Sequence, residues 1–96
     1  MVLETQPFDP AEALIDDARI AAYLEEAFAD GDPALIASAI GDVARARSIT
    51  AVARETGLTR ETLYRAFSPE GNPTLATMAA VVKALGYQLS IRPLAT

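Results

Sequence analysis

The stretch that decides the fold is ITAVARETGLTRETLYRAF, residues 49–67. Thr50 can cap a first short helix through Ala51, Val52, Ala53, Arg54 and Glu55. Ala53 is small enough for two helices to cross closely there. Four residues later comes Gly57, and a sharp turn after a helix calls for a left-handed backbone, which glycine adopts at little cost. Leu58 can plug the corner. Thr59 then caps a second helix, whose Leu63 and Ala66 or Phe67 point back into a core. Small residue, glycine, polar cap and apolar anchor at this spacing form the pattern of a helix-turn-helix.

That packing leaves Thr59, Arg60, Glu61, Thr62, Tyr64 and Arg65 outward or at the tip of the second helix, the end that enters a major groove in such motifs. Arg60 and Arg65 can each bond guanine through two N–H groups, or a phosphate. Thr59 and Thr62 suit a phosphate or a thymine methyl. Glu61 can accept from cytosine or orient an arginine, and Tyr64 can bond a phosphate or stack. Arg45, Arg47 and Arg54, with Thr50 at a helix tip, are candidates for contacts to the DNA backbone. The competing interpretation is a helical hairpin with a glycine turn and a solvated basic face.

Outward from this segment the chain reads as helices. Upstream, residues 16–29 repeat Ile20, Leu24 and Phe28 at four-residue spacing, widened by Ala21 and Ala27, with Asp16 and Asp17 at the positive N-terminal end. Gly31-Asp32-Pro33 stops that helix and starts the next. The next helix runs to about Arg47 on a ladder of Leu35, Ile36, Ala39, Ile40, Val43 and Ala44. Gly41 inside the ladder implies a neighbouring helix at close range. Downstream, after the loop SPEGNP, a last helix spans residues 74–85. It is capped by Asn72 or Thr74, faced by Leu75, Met78, Ala79, Val82 and Leu85, and ended by Gly86. Residues 87–92, YQLSIR, alternate apolar and polar and read as a short strand stopped by Pro93. Such a strand needs the N-terminal arm, a second copy or a partner's sheet edge to pair with. Residues 1–9 read as an extended arm, and Pro10 can open a short turn of helix through Leu14. The expected fold is therefore all-α: a five-helix bundle around a helix-turn-helix, with an N-terminal acidic arm and helix and a short C-terminal β-strand. The expected divisions are residues 1–31, the helix-turn-helix domain at 32–86, and a C-terminal strand and tail at 87–96.

Composition agrees and narrows the function. The chain has 96 residues, enough for one small domain, and 20 of them are alanine, which favours closely packed helices. It has neither Cys nor His. Disulfides, thiolate nucleophiles and zinc sites of the usual kind are excluded, and so is imidazole acid–base chemistry. No carboxylate pair sits in a metal or acid–base motif, and there is no phosphate-binding glycine loop. The expectation is no enzyme, no catalytic residue, no metal and no cofactor. No stretch approaches a membrane span and the N-terminus is not a secretory signal, so a soluble cytoplasmic protein is expected.

The net charge of −5 is unevenly distributed. Residues 1–42 carry ten acids against Arg19 alone, a balance of −9. Residues 43–96 carry seven bases against Glu55, Glu61 and Glu70, a balance of +4. The halves suit different partners.

Four stretches carry a family resemblance: IAAYLEEA at 20–27, GDPALI at 31–36, IGDVARA at 40–46 and ARETGLTRETLYRAFSPEGNPTLATMAAVVKALG at 53–86. Over about residues 8–92 the sequence resembles the addiction module antidote family, HigA-like antitoxins with a lambda-repressor-type fold. The resemblance implies a type II antitoxin that binds and neutralises a RelE/ParE-like toxin and represses its own operon as a dimer. Its groove-facing positions fall on Thr59 to Arg65. Two positions depart from it: relatives often have Gly where Ser48 stands, and Gln, a DNA contact, where Ala51 stands, which puts a contact at that position in doubt.

Toxins of this kind act on RNA and should be basic, so the acidic half suits one. Glu25, Glu26 and Asp30 lie at the unfavourable C-terminal end of their helix, and the expectation is that residues 8–30 contribute to toxin binding. The alternative is that these acids serve solubility or keep DNA off that face. The other function classes left open are a stand-alone repressor without a toxin, and a helical protein-interaction module that never touches DNA. One helix-turn-helix reads few base pairs, so double-stranded DNA recognition implies a homodimer, joined through the 87–92 strand or elsewhere.

Overall fold

The computed structural model describes residues 16–95. The extended arm and the short helix expected at residues 10–14 lie outside them. All the regular structure of the described chain is helical, with α1 at Asp17–Asp30, α2 at Pro33–Arg47, α3 at Ile49–Thr56, α4 at Arg60–Ala66 and α5 at Leu75–Ala84. Each helix starts on a short polar side chain that accepts a backbone N–H: Asp16 from Arg19, Asp32 from Ala34, Ser48 from Ala51, Thr59 from Thr62 and Thr74 from Thr77. Thr74 rather than Asn72 therefore caps α5. Ser48 rather than Thr50 caps α3, and its own N–H closes α2 on the Ala44 carbonyl. A single residue separates α2 from α3, so the cap falls there and Thr50 sits exposed in the first turn.

α2 is the interior helix. Ala37 and every residue from Ala39 to Ala44 are buried, because α1, α3 and α4 all pack on it. α3 in turn touches α2, α4 and α5. One core results, built from Ile20, Leu24 and Ala27 of α1, Ile40 and Val43 of α2, Val52, Leu63, Phe67, and Val81, Val82 and Leu85.

Four apolar residues expected in the buried stripes lie at their edges. Phe28 is 40% exposed, because two steps of four residues from Ile20 drift about 80° round a helix; Ala27 takes the buried place. Leu35 is exposed in the first turn of α2, before the flanking helices close over it. Leu75, the first residue of α5, is 77% exposed, and Ala79 also faces out; the inner face is Met78, Val81, Val82 and Leu85.

The strand expected at residues 87–92 is absent. After α5 the Tyr87 N–H donates to the Val82 carbonyl at 3.0 Å, and residues 87–95 carry no regular structure. A strand exists only when a second edge satisfies its backbone, and the described residues offer none. Ile91 is consequently 97% exposed.

Two contacts fix how the helices sit. A Cβ on Gly41 would lie 2.5 Å from the Phe67 carbonyl oxygen, so the end of α4 rests on the bare backbone of α2. The Tyr23 hydroxyl of α1 donates to the Asp42 carboxylate of α2 at 2.6 Å. Burial, then that hydrogen bond and the Asp42 charge, push the Tyr23 phenol up from 10.0 to about 12, with Arg45 opposing.

Gly41→Ala should lower stability by about 1–3 kcal/mol, because overpacking outweighs the roughly 1 kcal/mol that Ala gains over Gly in a helix. Gly57→Ala meets no atom within 4 Å, but φ is +79° there, and the left-handed strain of about 1–2 kcal/mol should appear alone. Urea unfolding of the two variants checks both. The native state holds the Tyr23 proton more tightly than the unfolded chain, so this contribution to stability is whole below pH 10 and lost as pH rises towards 12. Tyr23→Phe should flatten that part of the stability–pH curve, measured by chemical unfolding.

Candidate nucleic-acid interface

α4 is seven residues long, too short to hold its shape alone. It is fixed by its cap and its inner edge. The Thr59 hydroxyl accepts the Thr62 N–H at 3.0 Å and donates to the Thr62 hydroxyl at 2.8 Å. Leu63 and Phe67 are buried against the core. Gly57 turns the chain between α3 and α4 in the left-handed region. Thr56 braces the same corner, its hydroxyl donating to the Val52 carbonyl at 2.8 Å and accepting the Leu58 N–H at 3.2 Å. Leu58 packs half-buried on the core.

With the inner edge pinned, the rest of α4 faces solvent. Thr59, Arg60, Glu61, Tyr64 and Arg65 are exposed and Thr62 is half-buried. Tyr64 is 51% exposed despite its large apolar ring. Arg60 and Arg65 make no ion pair or side-chain hydrogen bond among the described residues. Thr50 and Arg54 are exposed on α3, the other limb of the motif. A face with three unpaired arginines, hydroxyls at a helix tip and a projecting phenol can bind an anionic polymer along its backbone and read base edges at the tip. Ala51 is half-buried in α3.

The two further arginines part company. Arg45 projects from the last turn of α2 and bonds the Asp42 carboxylate at 2.6 Å. It lines a cavity of about 250 Å³ together with Leu63, Tyr64, Phe67 and Ser68, which places it beside α4. Arg47 turns elsewhere, to the Asp17 carboxylate at 3.1 Å and the Leu85 carbonyl at 3.4 Å, tying the ends of α2, α1 and α5 together.

Glu25, Glu26 and Asp30 are all exposed on α1. Asp30 accepts the Asp32 N–H at 3.3 Å. Glu25 and Glu26 border a groove with Arg19, Ala22, Ala29 and Arg92, where the C-terminal tail passes α1. The residue that sequence reasoning missed is Asp42. It counted only as one acid of the N-terminal half, yet it is the one buried charged side chain described. Its position inside an otherwise apolar, glycine-containing run, three residues before an arginine, was the available signal.

Among the described residues no group of acids could hold a metal ion, and no helix is long and apolar enough to cross a membrane. An uncharacterised protein of Haemophilus influenzae is 44% identical over 92 residues, covering 96% of this chain and 95% of its own length. No solved structure matches the chain significantly. The model of the family described as "probable addiction module antidote protein" matches residues 4–93. With that match spanning α1 to the C-terminal tail, the chain belongs to this addiction module antidote family.

Proposed function

We propose that this protein is a DNA-binding antitoxin, which neutralises a small basic toxin of the RelE/ParE-like type by direct contact and represses its own operon through α3 and α4. Membership of an antidote family implies the toxin. The observation that carries the DNA reading is the outward face of α4, with Arg60, Tyr64 and Arg65 exposed on a helix whose orientation is fixed by buried Leu63 and Phe67.

In this reading the Thr59 tip enters the major groove and Arg60, Glu61, Thr62 and Arg65 meet base edges. Tyr64, Thr50, Arg54 and Arg45 contact phosphates or stack beside them. Arg47 contributes less, since its guanidinium is already engaged by Asp17 and Leu85. A single α4 covers only a few base pairs, so two copies bind a near-palindromic site about one helical turn apart. The lambda-repressor-type arrangement fits this use, and a HigA-like antitoxin working in the cytoplasm is the corresponding assignment. The toxin docks on the acidic side, where Glu25, Glu26 and Asp30 are exposed and make no ion pair among the described residues.

The DNA reading is tested on the duplex immediately upstream of the protein's own gene. Arg60→Ala with Arg65→Ala should weaken binding by about 5- to 150-fold for each arginine that makes a base contact of about 1–3 kcal/mol. Wild-type binding no stronger than to unrelated duplex would leave an interaction module without DNA recognition. For the acidic side, the toxin encoded beside the gene is the probe. Replacing Glu25, Glu26 and Asp30 by their amides should weaken its capture by roughly tenfold and reduce the salt dependence of capture. Unchanged affinity would assign these acids to solubility.

A further inference from the structure

Asp42 is a carboxylate placed where a carboxylate is costly. Its side chain is 10% exposed, in a run whose neighbours Ile40, Gly41, Val43 and Ala44 are all buried. Burying a charge is unfavourable unless it is paired and hydrogen-bonded, and here it is both. One oxygen, Oδ2, takes the Tyr23 hydroxyl from α1 at 2.6 Å. The other, Oδ1, takes an N–H from Arg45 at 2.6 Å. The carboxylate is thus clamped on the inside by a phenol and bonded on the outside to a guanidinium.

Arg45 lies at the boundary of this arrangement. Its side chain is 41% exposed while its partner is nearly enclosed. Guanidinium has five N–H donors, and among the described residues only its Nη2 nitrogen is engaged. The cavity that it borders is also bordered by Tyr64 and Ser68, so Arg45 lies at the edge of the α4 face. A free arginine on a surface samples many rotamers and loses them on binding. One tethered at short range to a rigid acid has lost much of that freedom beforehand.

We propose that Asp42 is a positioning residue for nucleic-acid binding: clamped by Tyr23, it holds the Arg45 guanidinium beside α4 so that its free N–H groups meet a phosphate of the duplex that α4 engages. The inference rests on the DNA-binding reading above and goes beyond it by giving the buried acid a role. Asp42 touches no DNA itself. Its negative charge alone would oppose binding, so its benefit can come only through the geometry it imposes on Arg45.

That opposition of signs makes the test decisive. The probe is the same upstream duplex, with affinity measured over a series of salt concentrations for wild type, Asp42→Asn, Arg45→Ala and the double variant. Arg45→Ala should lose affinity and lower the salt slope by about one phosphate contact. Asp42→Asn should weaken binding several-fold in the wild-type background and not at all in the Arg45→Ala background. Tyr23→Phe, which leaves both charges in place, should weaken binding in the same direction. In the free protein, ¹⁵N relaxation of the Arg45 Nε should report a rigid side chain in wild type and a mobile one in Asp42→Asn. An Asp42→Asn variant that binds as well as or better than wild type overturns the proposal, as does an equal loss in both backgrounds, which would mark a general structural role. A rigid Arg45 in free Asp42→Asn also overturns it, whether or not that variant binds DNA. Failure of wild type itself to bind the duplex removes the underlying DNA reading instead, and is recognised without any variant.

Discussion

The contact between the end of α4 and the backbone of α2 at Gly41 governs the rest of the molecule. Seven residues of helix have little stability of their own, so α4 takes whatever orientation its anchor imposes. Leu63 and Phe67 supply the anchor by burial, and the Phe67 carbonyl settles where any side chain on Gly41 would stand. Removing that side chain costs α2 about 1 kcal/mol in helix propensity. In return two backbones approach closely, and the opposite face of α4 is left with its arginines and its phenol in solvent.

The interior helix carries a second constraint, of opposite chemical character. α2 is buried on most sides from Ala37 to Ala44, which suits alanine, valine and isoleucine and penalises Asp42. A buried ion pair is weak evidence of stability, since an apolar replacement of similar volume often does as well. A hydrogen-bonded acid is more specific than an apolar side chain, however. It accepts the Tyr23 hydroxyl only if α1 lies in one register against α2, and the Arg45 guanidinium only in one rotamer. The same group therefore aligns the acidic helix with the core and the core with the basic face.

Much of this was legible in the sequence because it is written in local rules. Gly57, Thr59 and Leu63 specify the turn, the cap and the anchor within seven positions, and the structure has all three as read. Gly31-Asp32-Pro33 likewise marks one helix end and the next start. What was less legible depends on neighbours. Phe28, Leu35 and Leu75 are apolar and correctly phased to within a turn, but whether each is covered is decided by where another helix ends. The segment at 87–92 has strand periodicity without a strand, because alternation describes a face and not the edge it must bond to. Ser48 displaced Thr50 as a cap because α2 runs up to it without a gap. Asp42 was hidden for a related reason: a charge count assigns it to the surface, and its burial is made tolerable by Arg45 together with Tyr23, which approaches from nineteen residues away.

Charge separation follows from the same packing. α1 packs on α2 and brings its acids outward, whereas α4 packs on α2 from another direction and brings its bases outward. Opposite charges displayed from one small core would attract each other if their side chains could meet, which would neutralise both surfaces. Of the three ion pairs among the described residues, Asp16 with Arg19 lies at the start of α1, and the other two lie between the acidic and basic parts, at Asp42 with Arg45 and Asp17 with Arg47. Glu25, Glu26 and Asp30 remain unpaired among the described residues, and so do Arg54, Arg60 and Arg65. A side chain left unpaired keeps its long-range field, and a field of one sign steers a partner of the other. The helices thus act as spacers: by holding acids and bases apart, the core keeps both faces charged. With a net charge of only −5 across the whole chain, the field of each face comes from the arrangement and not from the total.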